Sequence, residues 1–92
     1  MAQLRIPTVL RPAVGGQSSL EIEASTIGEL LGELTTRYPN VGPQVLGADG
    51  ALHRFLNVYV NDDDVRYIGG LNAALSAGDV VTLLPAVAGG SL

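Results

Sequence analysis

The apolar pattern of this chain changes period once at length, and that change constrains the fold more than any other feature. In "STIGELLGELTTRYP" the residues Ile27, Leu30, Leu31, Leu34 and Tyr38 recur at helical spacing. On either side the pattern alternates residue by residue, as half-buried strands do. "SSLEIEA" sets Leu20 and Ile22 against Glu21 and Glu23, and "FLNVYV" sets Leu56, Val58 and Val60 against Phe55, Asn57 and Tyr59. Such a chain is expected to make a sheet with one wet face and a helix covering the other.

Local signals place the boundaries. "AQLRIPTVL" carries β-branched residues in loose alternation and reads as a first strand. "VGGQ" is turn material, since adjacent glycines supply positive φ at little cost, so "SSLEIEA" is expected to be the hairpin partner. Thr26 followed by Glu29 has capping-box spacing and should start the helix. Glu33 and Arg37 form an i, i+4 pair on its wet side, and Pro39 stops it near Arg37 or Tyr38. Gly28 and Gly32 weaken the helix, and their spacing suits a close approach to the sheet. Residues 39–52 read as a loop with one helical turn at Gln44 to Leu46. "FLNVYVNDDDVRY" reads as a second hairpin turning at Asn61 to Asp63. "LNAALSAGD" then gives a short helical piece and a Gly78-Asp79 turn, and "VVTLLP" is a last strand ended by Pro85. The predicted class is α+β. The order fits a β-grasp, or ubiquitin-like, fold: a mixed four- to five-stranded sheet, one main helix on one face, and a flexible C-terminal tail. The domain is assigned to residues 1–84 and the tail to 85–92.

Composition narrows the functional classes. The chain has 92 residues, enough for one domain with a real but modest core. Only Phe55, Tyr38, Tyr59 and Tyr67 are aromatic, so that core must be built from Leu, Val, Ile and Ala. A net charge of −4, with five arginines scattered along the sequence, argues against nucleic acid and suits a basic partner protein. The absence of cysteine removes disulfides, thiol catalysis and thiolate metal sites. Residues 1–10 do not form a signal peptide, and no apolar run approaches the ~18 residues of a membrane span. The reading is a cytoplasmic protein that binds neither nucleic acid nor membrane. Lysine is also absent, which a genome preferring arginine would explain.

Candidate catalytic groups are few. His53 is the single histidine and reads as a surface or loop-packing residue. Asp62, Asp63 and Asp64 offer three carboxylates, but in a hairpin turn and without a calcium-loop pattern, so they read as a solvated turn. Gly15-Gly16 and Gly69-Gly70 lack phosphate-loop spacing. No enzyme active site is expected, no bound cofactor and no metal.

The end of the chain remains. In "LLPAVAGGSL" the six residues Pro85 to Gly90 carry no charge and little bulk. They can reach about 20 Å at ~3.3–3.6 Å per residue. Read from its residues alone, such a segment is either a frayed terminus of small residues or a strap that can thread a narrow channel on another protein, where Gly89 and Gly90 let the walls approach the backbone. "LLPAVAGG", following a strand introduced by "GDVVT", resembles the end of the ThiS/MoaD family of ubiquitin-like sulfur carriers. The helix "TIGELLGEL" and the hairpin "VNDDDVR" sit where that family has its helix and its "VN" turn. The resemblance covers Leu4 to Gly90. "IPTVLRP" and "LHRFLNVYVNDDDVRYIGGL" are most similar to the CysO-type carriers of thiocarboxylate-dependent cysteine biosynthesis.

The resemblance implies a non-enzymatic function. Gly90 would supply the reactive carboxylate, and Pro85, Ala86, Val87, Ala88 and Gly89 would enter the partner. An E1-like adenylating and sulfurylating enzyme would use ATP to activate Gly90, and sulfur would displace AMP to leave a thiocarboxylate. The acceptor would be a PLP-dependent cysteine synthase acting on O-phosphoserine, or another sulfur-accepting enzyme, with a metalloprotease acting later. Lack of Lys and Cys then has a second meaning: no side-chain amine or thiol can capture the activated terminus. The family usually stops at Gly-Gly, whereas here Gly90 is joined to Ser91-Leu92, so protease removal of Ser91 and Leu92 is expected. Partner docking is expected on the sheet face opposite the helix, at an apolar patch of Phe55, Tyr59 and Leu84. Alternatives are a ubiquitin-like modifier conjugated through Gly90, a carrier for thiamin, molybdopterin or specialised-metabolite sulfur, and an inert β-grasp interaction domain.

Overall fold

The computed structural model describes residues 1–47, 50–53 and 56–85. Five strands and two helices occur in the order β1 (Ala2–Arg5), β2 (Ser19–Ile22), α1 (Ile27–Arg37), α2 (Gly42–Val45), β3 (Leu56–Val60), β4 (Asp63–Asp64) and β5 (Val80–Pro85). They form one sheet in the order β2-β1-β5-β3-β4. β1 and β5 run parallel, and the other neighbouring pairs are antiparallel. This is the mixed sheet of a β-grasp fold, and its central strand is the last in sequence.

Helix α1 starts and stops where its sequence requires. Thr26 is its N-cap, and its Oγ1 accepts a hydrogen bond from the Glu29 N–H at 3.2 Å. The Glu29 carboxylate accepts in turn from the Ser25 N–H at 3.0 Å, one residue earlier than a standard capping box would place it. At the other end Tyr38 caps the helix, and Pro39 cannot extend it. Ile27, Leu30, Leu31 and Leu34 are all fully buried. They meet the inward rows of the strands: Ala2 and Leu4, Leu20 and Ile22, Leu56, Val58 and Val60, and Val81 and Leu83. No polar or charged side chain is buried among the described residues, and the buried set is entirely aliphatic. The small number of aromatics is thus reflected directly in the core.

Three expectations need correction. The first strand is shorter than "AQLRIPTVL": it ends at Arg5, and Thr8–Val14 forms a 3-10 helix instead. Pro7 explains the break, because it has no N–H to continue the ladder and its fixed φ suits the position before a helical turn. The β1–β2 connection is consequently long, with Gly15 in the left-handed region at φ 71° closing the 3-10 segment. The second correction concerns the helix glycines. A side chain on Gly28 would meet the Leu71 carbonyl oxygen at 3.1 Å, so the close approach is to the loop before β5 and not to the sheet. Gly32 faces open space. Replacing Gly32 with Ala is therefore expected to raise stability by up to about 1 kcal/mol, through helix propensity alone, in urea denaturation. The third concerns only where the tail is numbered from: β5 runs to Pro85, opposite Leu56, as the strand reading of "VVTLLP" has it, and so overlaps the segment counted as tail from residue 85.

The second hairpin turns more tightly than expected, with Val60 paired to Asp63. Asn61 takes φ 56°, a left-handed conformation that Asn tolerates better than most residues. Its side chain also ties the turn to the start of β5: Oδ1 accepts from the Val80 N–H at 3.1 Å, and Nδ2 donates to Asp79 Oδ1 at 3.3 Å. Asp79 Oδ2 accepts from the Ser76 N–H at 2.9 Å. These bonds fix where β5 begins, and so help fix where it ends.

Candidate functional site

The strand that leads into the chain end is held on both sides. On one side β3 pairs with β5 along its length, from Val60↔Val81 to Leu56↔Pro85. On the other, β1 pairs only as far as Arg5↔Thr82. Beyond that point Pro7 stops the ladder, and among the described residues no strand pairs with the edge of Leu83 to Pro85 on the β1 side. The root of the chain end is thus anchored by β3 and open towards β1.

The outward side chains near this root follow from strand alternation. Register pairs carry one row across the sheet, from Ser19 through Arg5, Thr82 and Tyr59 to Asp64. Leu84 stands in the next row, opposite Asn57, and is 47% exposed. A depression lies on each side of Leu84. The larger, about 500 Å³, is lined by residues that include Arg5, Pro7, Arg11, Ser18, Ser19 and Thr82. The smaller, about 300 Å³, is lined by Tyr59, Asn61, Asp62, Thr82 and Leu84. Arg11 is oriented by the backbone five residues before it: its Nε donates to the Ile6 carbonyl at 3.1 Å.

The expected patch is partly assembled. Tyr59 and Leu84 do share the outward face, with Tyr59 half-buried and Leu84 exposed. Phe55 lies outside the described residues, as do Ala86, Val87, Ala88, Gly89, Gly90, Ser91 and Leu92. What the sequence reading missed is the basic contribution. Arg5 and Arg11 are six positions apart in sequence and were counted among scattered charges, yet both line the larger depression. Outward alternation of Gln3 and Arg5 was readable; the parallel β1–β5 pairing that brings Arg5 to the chain-end root was not.

The other candidates carry no catalytic constellation. His53 lines an apolar groove of about 610 Å³ with Thr35, Gly42, Pro43, Leu46 and Gly47, and its N–H donates to the Val45 carbonyl at 2.9 Å. Asp64 caps the short 3-10 turn Val65–Tyr67, accepting from the Arg66 N–H at 2.9 Å. Among the described residues no three His, Asp or Glu side chains are placed to hold a metal ion. No helix of the described residues is long and apolar enough to cross a membrane.

Comparison with known proteins gives concordant results. The family model of the ThiS family matches residues 4–90. The sulfur carrier protein CysO of Mycobacterium tuberculosis is 48% identical over 87 residues, which is 92% of this chain and 94% of that protein. Its crystal structure superposes with a TM-score of 0.87, covering 95% of this chain and all of that one. A chain in the crystal structure of the Amycolatopsis orientalis BexX/CysO complex superposes with a TM-score of 0.88 at 42% identity, over 95% of this chain and 97% of that one. Small archaeal modifier protein 3 of Haloferax volcanii is 31% identical over 96% of this chain and 97% of its own length.

Proposed function

Since the chain belongs to the ThiS family of ubiquitin-like sulfur carriers, we propose that it carries sulfur on Gly90 as a thiocarboxylate, for biosynthesis of cysteine. It is a carrier and not an enzyme, as its named sulfur-carrier relatives are. The observation that carries the reading is the extent of the family match, which begins in β1 and runs to Gly90 itself. Its chemistry proceeds in two displacements. A carboxylate oxygen of Gly90 attacks the α-phosphorus of ATP and expels pyrophosphate, giving an acyl adenylate. A sulfide ion delivered at the E1-like partner then attacks the acyl carbon and expels AMP, so that the C–O bond to AMP breaks as the C–S bond forms and the sulfur stays on Gly90 as a thiocarboxylate. The carrier binds no cofactor of its own, and ATP belongs to the activating enzyme.

The fold's part is positioning. β5 is fixed in the centre of the sheet, so the reactive end departs from a defined point on a rigid body. Pro85 ends the ladder there, and Ala86, Val87, Ala88 and Gly89 supply a segment of small residues for a partner's channel. Tyr59, Leu84 and Phe55 form the proposed contact face. A CysO stands in complex with BexX in a solved structure, which supports work against a partner protein. The partners proposed are an E1-like enzyme, a PLP-dependent synthase as sulfur acceptor, and a metalloprotease that removes Ser91-Leu92. The proposed location is the cytoplasm, where ATP for the activating enzyme is supplied.

A second reading has one specific observation in its favour, the likeness to an archaeal modifier protein. In that case the activated Gly90 would form isopeptide bonds with lysines of target proteins. Intact-mass analysis of the protein from its own cells separates the two. The carrier reading expects a chain ending at Gly90 in which one oxygen is exchanged for sulfur. Isopeptide-linked targets would favour the modifier, and a chain found only at its full unmodified length would end both readings.

A further inference from the structure

The larger depression beside Leu84 is chemically unlike the rest of the molecule. The chain carries a net charge of −4, yet two of its five arginines line this one hollow. Among the described residues neither Arg5 nor Arg11 forms an ion pair, and the Arg11 guanidinium spends only its Nε, on the Ile6 carbonyl. The carboxylate on this part of the sheet, Glu21, faces Gln3, whereas Arg5 faces Ser19. The terminal nitrogens of two guanidiniums are therefore left to face solvent, next to an exposed Leu84 and the Ser18 and Ser19 hydroxyls. Guanidinium is the cation best shaped to take a carboxylate through paired N–H donors. The hollow also runs along the one part of β5 from which β1 has departed, so its shape is that of an edge open to an extended chain.

We propose that this groove binds an extended, acidic segment of a partner protein, whose carboxylates engage Arg5 and Arg11 while a neighbouring apolar side chain packs on Leu84. Charge complementarity selects the occupant: a basic segment would meet two guanidiniums, and a wholly apolar one would leave both without counter-charges. The site lies at the root of the reactive end, so a partner gripping it holds the body of the carrier in register with whatever receives Gly90. In that last respect the proposal rests on the sulfur-carrier reading. It adds a local acidic contact at the chain-end root to the basic partner that the net charge of −4 suits elsewhere on the surface.

The test uses the full-length protein and a defined probe, the peptide acetyl-Ala-Leu-Glu-Leu-Asp-Ala-amide, followed by amide chemical shifts at low salt. Shifts are expected at Arg5, Arg11, Ser18, Ser19, Thr82 and Leu84, and they should weaken as added salt screens the exposed charges. Arg5→Gln, whose side chain makes no bond within the described fold, should lower the affinity about two- to fivefold, and Arg5→Gln with Arg11→Gln further. A peptide with Lys in place of both acidic residues should produce no shifts there. Absence of shifts with the acidic peptide, equal binding of the lysine peptide, or unchanged binding by Arg5→Gln would overturn the proposal. A separate arm adds ATP and the E1-like enzyme to the form ending at Gly90. Failure of adenylation there counts against the sulfur-carrier reading, while the groove is judged by the peptide alone.

Discussion

A form of the chain ending at Gly90 is expected to accept AMP from its E1-like enzyme, and the form that retains Ser91-Leu92 is expected to stay at the background of the enzyme alone. The difference is one of chemistry before it is one of fit. Adenylation needs a carboxylate oxygen as nucleophile, and in the longer chain Gly90 has only an amide carbonyl, since its carbon is bonded to Ser91. The longer chain does have a terminal carboxylate, at Leu92. That group lies two residues further on, up to about 7 Å at ~3.3–3.6 Å per residue. Misplacement of a reacting group by as little as ~1 Å can reduce rate about a hundredfold. Leu92 also carries an isobutyl side chain where a glycine-fitted channel leaves no room for one. Pyrophosphate exchange and the mass of the AMP adduct, measured on both forms, check the expectation. Equal activation of the two would show that Gly90 is not the activated residue. Substitution of Ser91 to block the processing protease should then leave the cell with an inactive precursor.

The parts of this fold that were legible in the sequence are those with local causes. Helix α1 declares itself through Thr26, the Ile27-Leu30-Leu31-Leu34 stripe and Pro39, all within one contiguous stretch. β2 and β3 are visible because each alternates against its own polar neighbours, and β5 because a β-branched apolar run is bounded by the Gly78-Asp79 turn and Pro85. Thr8 to Leu10 misled for the same reason: Thr and Val favour strands, but Pro7 removes the donor a ladder would need, and the segment coils into a 3-10 turn. The spacing of Gly28 and Gly32 fitted a close approach to the sheet no better than chance, because the contact Gly28 does make, with Leu71, depends on how a loop more than forty residues later folds back. The groove was invisible on similar grounds. Arg5 reaches the chain-end root only through a parallel pairing of the first and last strands, and no local pattern encodes that. The family was legible sooner than the groove because its motifs are contiguous in sequence, whereas two arginines brought together by topology are not.

The second large effect expected is on stability, from truncating one leucine of α1. Leu30→Ala should cost about 2–5 kcal/mol, the range for deleting a buried leucine side chain. Leu30 is fully buried, among the helix residues that face the sheet. For a chain of 92 residues the whole stability is about 5–14 kcal/mol, at roughly 0.05–0.15 kcal/mol per residue. One substitution therefore removes a large share of it. In a domain of this size each kcal/mol corresponds to roughly 4–8 °C in Tm, so the loss should be plain in a thermal scan. The core has little with which to offset the cavity. Among the described residues the buried set contains no aromatic ring, Tyr38 packing against it only from the side, and no polar network, and the chain has no disulfide to hold the frame. Stiff β-branched neighbours such as Ile22, Ile27 and Val58 have few rotamers with which to refill it. Val9→Ala is the control, because Val9 is 68% exposed on the 3-10 segment and its loss should stay within about 0.5 kcal/mol. If the two variants unfold at the same denaturant concentration, then α1 is not what holds the sheet, and the anchoring of β5 that the carrier function depends on must come from the strand pairings alone.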